Sequence, residues 1–162
     1  MTDLDLQKAL VAEIKSMCRE ESLGIPKLNE EETFTAWDEY KVYAQDLPFK
    51  DEEIPEERSN YILVVIDDED TDSEGNWIVT VHFVISICIH EMENQGNLIL
   101  ATLMNQLERR FDSKGIIAGL YTKEQEAHKR FNQDAWPGFF ESDYITKWKV
   151  PGVDVEEVKK LI

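Results

Sequence analysis

The sequence predicts an α+β domain: an antiparallel or mixed β-sheet with a long hairpin, an N-terminal helix, and a central amphipathic helix packed on the sheet. Three patterns carry this expectation. Trp77, Val79, Val81, Phe83, Ile85, Ile87 and Ile89 alternate with period two and so share one face of a strand. Past Gly96 the period changes, and Leu100, Leu103, Met104, Leu107 and Phe111 recur at the spacing of a helical stripe. Leu6, Ala9, Leu10, Ile14 and Met17 repeat that spacing near the start of the chain. Composition shows no break, so residues 1–162 read as a single domain.

Taken in order, the opening helix is expected over Asp5–Arg19, capped by Thr2 or Asp3 and ending before Gly24-Ile25-Pro26. Thr33–Gln45 is rich in β-formers and predicts one strand or two short ones. Leu47–Asn60, with Pro48, Pro55 and many acids, reads as a surface loop. Tyr61–Ile66 is a continuous apolar run that suits a strand covered on both faces, and it leads into an acidic turn over Asp67–Asn76. With the strand from Trp77 to Ile89 it makes a long antiparallel hairpin. The central helix is expected around Leu98–Phe111, with Asn94 as its cap and Gly115 as its stop. A strand or turn at Ile116–Tyr121, a weak segment at Lys129–Asp134 and a turn at Trp136-Pro137-Gly138 follow. In the last strand Phe140, Ser142, Tyr144, Thr146, Trp148 and Val150 share one face, against Glu141, Asp143, Lys147 and Lys149. A short helix over Val153–Leu161 closes the chain.

At 162 residues and 42% hydrophobic, the chain is long enough to bury roughly 70% of its unfolded surface in one core. No apolar run is long enough to span a membrane, and the acidic start Met1-Thr2-Asp3-Leu4-Asp5 lacks the basic region of a signal peptide, so a soluble, unexported protein is expected. Cys18 and Cys88 fall in helix-like and strand-like stretches and read as buried, reduced thiols. Net charge is −17 and unevenly placed: residues 1–75 hold 22 acids and 7 bases (−15), residues 76–162 hold 12 acids and 10 bases (−2). Such a field opposes nucleic-acid binding, which depends on Lys and Arg displacing phosphate counterions. An acidic surface serves solubility, a basic protein partner, or a wall past which DNA slides without sticking.

No catalytic motif emerges. Asp70-Thr71-Asp72-Ser73-Glu74-Gly75 imitates the opening of a calcium loop, but its twelfth position is Val81 where a bidentate Glu is needed, and strands flank it in place of helices. A solvated hairpin tip without a metal is expected. His90-Glu91-Met92-Glu93 lacks the second histidine of a zinc-protease helix, and His82 and His90 lie too far apart along one strand to share an ion. No glycine-framed Ser or Cys and no phosphate-cradling loop occurs. Carboxylates are numerous enough that a catalytic pair stays open on sequence alone. No enzyme activity, cofactor or membrane contact is expected. The candidate partner-facing residues are Asp67, Asp68, Glu69, Asp70, Asp72 and Glu74; the candidate structural anchors are Trp136, Pro137 and Trp148.

A resemblance rests on the order of the second half. Tyr61-Ile62-Leu63-Val64-Val65 leads into the acidic turn and a second strand, Asn94-Gln95-Gly96-Asn97 starts the helix, and Gln133, Trp136-Pro137, Phe139-Phe140 and Thr146-Lys147-Trp148-Lys149-Val150-Pro151 close the segment. This stretch, about 61–151, resembles the small tail-completion proteins of phages and prophages of Gram-positive hosts, similar in architecture to the siphophage tail terminator. The N-terminal segment of about 60 residues, with its acidic loop, departs from the short N-terminus of that group. The resemblance implies a non-enzymatic virion component: a subunit of a ring, often a hexamer, that completes the tail tube and meets tube and neck proteins. It also implies residence in the virion tail, after assembly in the bacterial cytoplasm. The alternative is a monomeric acidic binding module, of the inhibitor or immunity type, that covers a basic protein.

Overall fold

In the computed structural model, which describes residues 2–28, 34–46, 60–89, 96–132 and 138–152, helix α1 spans Asp3–Glu20. Thr2 starts it two residues before the sequence expectation through a reciprocal cap. Its hydroxyl accepts from the Asp5 N–H at 3.2 Å while its own N–H donates to the Asp5 carboxylate at 3.1 Å. Leu6, Leu10, Ile14 and Met17 form the buried face, as the periodicity implied. After a left-handed residue at Ser22 (φ 51°), strands β1 (Gly24–Leu28) and β2 (Phe34–Glu39) pair antiparallel as a separate two-stranded sheet. The sequence reading placed no strand at Gly24-Ile25-Pro26; a two-stranded ribbon leaves an unneeded N–H position where proline is harmless.

Among the described residues the main sheet has six strands: β3 (Lys41–Ala44), β4 (Tyr61–Thr71), β5 (Trp77–Cys88), β6 (Ile116–Ile117), β7 (Tyr121–Asn132) and β8 (Phe139–Val150), in the order β3-β4-β5-β8-β7-β6. All pairings are antiparallel except β3 with β4, so the sheet is mixed. Helix α2 (Gly96–Lys114) buries Leu100, Leu103, Met104, Leu107 and Phe111. Its first residue, Gly96, touches the Phe140 ring so closely that a Cβ there would lie 2.1 Å from it.

Two strands outrun the sequence reading. β4 continues past Ile66 to Thr71, so Asp67, Asp68, Glu69 and Asp70 sit on a strand and not in a turn. Pairing with β5 aligns Asp68, Glu69 and Asp70 with Thr80, Val79 and Ile78, while all four acidic side chains are solvent-exposed, which a hydropathy pattern does not register. β7 is a continuous strand where only fragments were expected, because after the buried Tyr121 its inward face carries cations in place of a hydrophobic repeat. Lys123 Nζ meets Asp112 of α2 at 2.9 Å, and Lys129 is bound by Glu108 of the same helix.

Both helices cover one face of the sheet. On it Phe83 stacks on Phe111 with centroids 5.1 Å apart, and the Trp148 ring meets Phe111 edge-on at 5.3 Å. Trp148 Nε1 donates to Thr146 Oγ1 at 2.8 Å, and that hydroxyl donates to the Val81 carbonyl at 3.1 Å. Two otherwise costly polar groups are thus paired inside the core. α1 and α2 are joined by Arg110, whose Nε donates to Glu13 and whose Nη1 donates to Glu20, both at 2.6 Å. Cys18 and Cys88 remain thiols and are half-buried, less than expected; burial pushes the Cys18 thiol up to about 11. The proposed loop at 47–59, the Asn94 cap, the Trp136-Pro137 turn and the closing helix at 153–161 lie outside the described residues.

Candidate functional site at the acidic hairpin

β4 and β5 carry the acidic residues to one end of the sheet and fix which way each points. Register places Glu69 opposite Val79, on the helix-covered side, and places Asp68 and Asp70 opposite Thr80 and Ile78, on the other side. The irregularity between Ile66 and Asp68 leaves Asp67 as the extra residue of a bulge. The six carboxylates therefore do not form one cluster, and they do different work.

Asp72 is structural. Its Oδ1 accepts from the N–H groups of Glu74 and Asn76, each at 2.9 Å, and its Oδ2 accepts from Asn76 Nδ2 at 3.3 Å. The Asn76 backbone bond, with the other donors, holds the Asp72 carboxyl below the usual range. Gly75, at φ 82°, supplies the left-handed residue this turn requires. Lys149 Nζ lies 3.7 Å from Asp72 and 3.8 Å from Glu74, drawing the end of β8 to the turn.

Asp67 is paired. Its Oδ2 lies 3.3 Å from His82 Nε2, and Asp143 Oδ2 lies 3.0 Å from His82 Nδ1. One imidazole on β5 thus bridges carboxylates from both neighbouring strands, on the sheet face that carries no helix among the described residues. The sequence reading placed His82 on the polar face of its strand but could not see these partners, since Asp143 is 61 residues away.

Glu69 differs again. It meets Asp3 of α1, and burial together with that neighbouring carboxylate raises its pKa. Asp3, Glu69, Trp77, Val150 and Pro151 line a cleft of about 260 Å³. Trp77 belongs to the core face by periodicity, but as the first residue of β5 it stands past the end of the helical cover and is 48% exposed. Its place directly after the turn was the available signal. Asp68, Glu69, Asp70 and Glu74 all have solvent-exposed side chains, so the desolvation of Glu69 is partial.

The anchor Trp148 is fully buried under α2; Trp136 and Pro137 lie outside the described residues. No group of three or more His, Cys, Asp or Glu side chains is arranged to hold a metal ion among the described residues. None of the described helices is long and apolar enough to cross a membrane. Comparisons with protein-family models and with curated proteins find no match for this chain.

Proposed function

We propose that this chain is a non-enzymatic phage or prophage structural protein, a ring-forming subunit that completes the tail tube. The observation that carries this reading is the order of elements in the second half. β4 with its acidic end, β5, α2 and β8 occur in the order on which the tail-completion resemblance rests, with β6 and β7 between α2 and β8, and Trp148 of β8 packs on Phe111 of α2. The acidic end of the hairpin is consistent with a surface past which DNA moves without binding. The partners of this role are further copies of the chain, the tail tube and the neck, with assembly in the host cytoplasm and residence in the virion tail.

Electron microscopy of the purified protein, alone and with the tail-tube protein of the same phage genome, tests the proposal. Annular particles, or capping of tube ends, are the expected result. A protein that stays monomeric, ignores the tube and binds a purified basic partner would replace this reading with the second one, a monomeric acidic binding module. One feature of the sheet favours that alternative. β6 covers β7 only at Tyr121 and Thr122, so the outer edge of β7 from 124 to 131 carries no strand among the described residues and can receive one from a partner.

A further inference from the structure

Two clefts at opposite ends of α1 have opposite chemistry. The first is the cleft beside the hairpin, where Asp3 and Glu69 place two carboxylates together next to the half-exposed Trp77 ring. No cation is paired with either carboxylate among the described residues. Two like charges in contact beside an open aromatic face are a poor arrangement for an isolated chain. They become a good one when a guanidinium or ammonium enters, since carboxylates and an indole face both attract it.

The second cleft, of about 330 Å³, lies between the last turns of α1 and the start of β3. Lys15, Arg19 and Lys41 line it with Tyr40 and Cys18, and one acid, Glu39, stands at its edge. The three cations are exposed, and none takes part in an ion pair among the described residues. Of the other described cations on or beside α1, Arg110 and Lys114 are bound to Glu13, and Lys8 is exposed and takes part in no ion pair among the described residues.

The clefts cannot satisfy each other within one chain. Asp3 and Arg19 are separated by about 24 Å along the helix at 1.5 Å per residue. We infer that copies of this chain associate head to tail, the Lys15/Arg19/Lys41 end of one copy seating in the Asp3/Glu69/Trp77 cleft of the next. This deepens the ring reading and rests on it. Unlike patches on one subunit give a heterologous contact, which closes into a ring when the rotation between neighbours allows. Net repulsion between acidic copies acts over a longer range than the contact itself, and salt of about 0.15 M screens it beyond about 8 Å.

The test is a charge swap, read by sedimentation velocity over a range of concentrations at about 0.15 M salt. The variants are Lys15→Glu/Arg19→Glu, Glu69→Lys and Trp77→Ala, with circular dichroism checking that each is folded. Wild type should form a closed species of more than two copies. Each reversal should raise the concentration needed for assembly by at least about tenfold, and Trp77→Ala should raise it less. An equimolar mixture of the two reversed variants should regain assembly, because each then offers its neighbour a complementary end. A folded set of variants that assembles as wild type does would overturn this interface and leave the ring reading standing. A wild type that stays monomeric at every concentration would overturn both. A species that stops at two copies would overturn the head-to-tail order.

Discussion

Phe111 is the residue on which the two layers meet. It is fully buried, stacked on Phe83 of β5 and met edge-on by Trp148 of β8, so it ties the last turn of α2 to both central strands. Phe111→Ala should cost about 3–5 kcal/mol, the sum of lost burial and the cavity left between two rings that cannot collapse onto each other. Urea denaturation would measure this, and a loss below about 1 kcal/mol would mean that the rings repack. At this scale the sequence was informative about burial and silent about partners. Trp148 was legible as an anchor from its place in an alternating strand. That its N–H would find Thr146, and Thr146 the Val81 carbonyl, depends on strands that meet only after folding.

Among the elements, β6 and β7 are joined by a turn in which Ala118 and Gly119 both have positive φ, 53° and 68°, closed by a 3.1 Å bond from the Leu120 N–H to the Ile117 carbonyl. The turn lies in the three-residue loop between the paired Ile117 and Tyr121, and the glycine adopts positive φ freely while the alanine does not. Ala118→Asn should therefore stabilise the protein by about 0.5–1 kcal/mol, since Asn tolerates this conformation. A lower melting temperature in that variant would show that the turn conformation is not the limiting strain. The elements also show where patterns stop being informative. α1, α2, β5 and β8 were legible because each has one apolar face. β7 was not, because its inward face carries Lys123 and Lys129 to the polar flank of α2, and an edge strand so arranged has no period in hydropathy.

For the whole molecule, the two helices are held as one layer by Arg110 between Glu13 and Glu20. Burial pushes the Glu13 carboxyl up, but hydrogen bonds from Lys114 and Arg110 outweigh it and leave the pKa lowered; Arg110 lowers that of Glu20 in the same way. A carboxylate with a depressed folded pKa adds stability that is fully present above its unfolded value, 4.5 for Glu, and is lost as pH falls through the folded value. Glu69 acts in the opposite sense. Its raised pKa means that ionising it costs stability as pH rises past 4.5. With two lowered groups at the helix junction, stability should hold from neutral pH down to about pH 5 and fall below it. Arg110→Met should lose about 2 kcal/mol at pH 7 and flatten the acid fall. Denaturation midpoints across pH for both proteins would check this, and an equally steep acid fall in the variant would place its origin elsewhere.

The α+β class, the two amphipathic helices, the long hairpin and the uneven charge were all legible along the chain. Each of these is a property of spacing along a single segment, which residues express wherever the segment lies. Only the tertiary structure decided that β4 carries its acids along a strand, that Asp67 and Asp143 hold His82 between them, and that α1 ends in two clefts of opposite charge. Those features join residues from distant segments through backbone pairing and helix docking. No local period encodes which ends will meet.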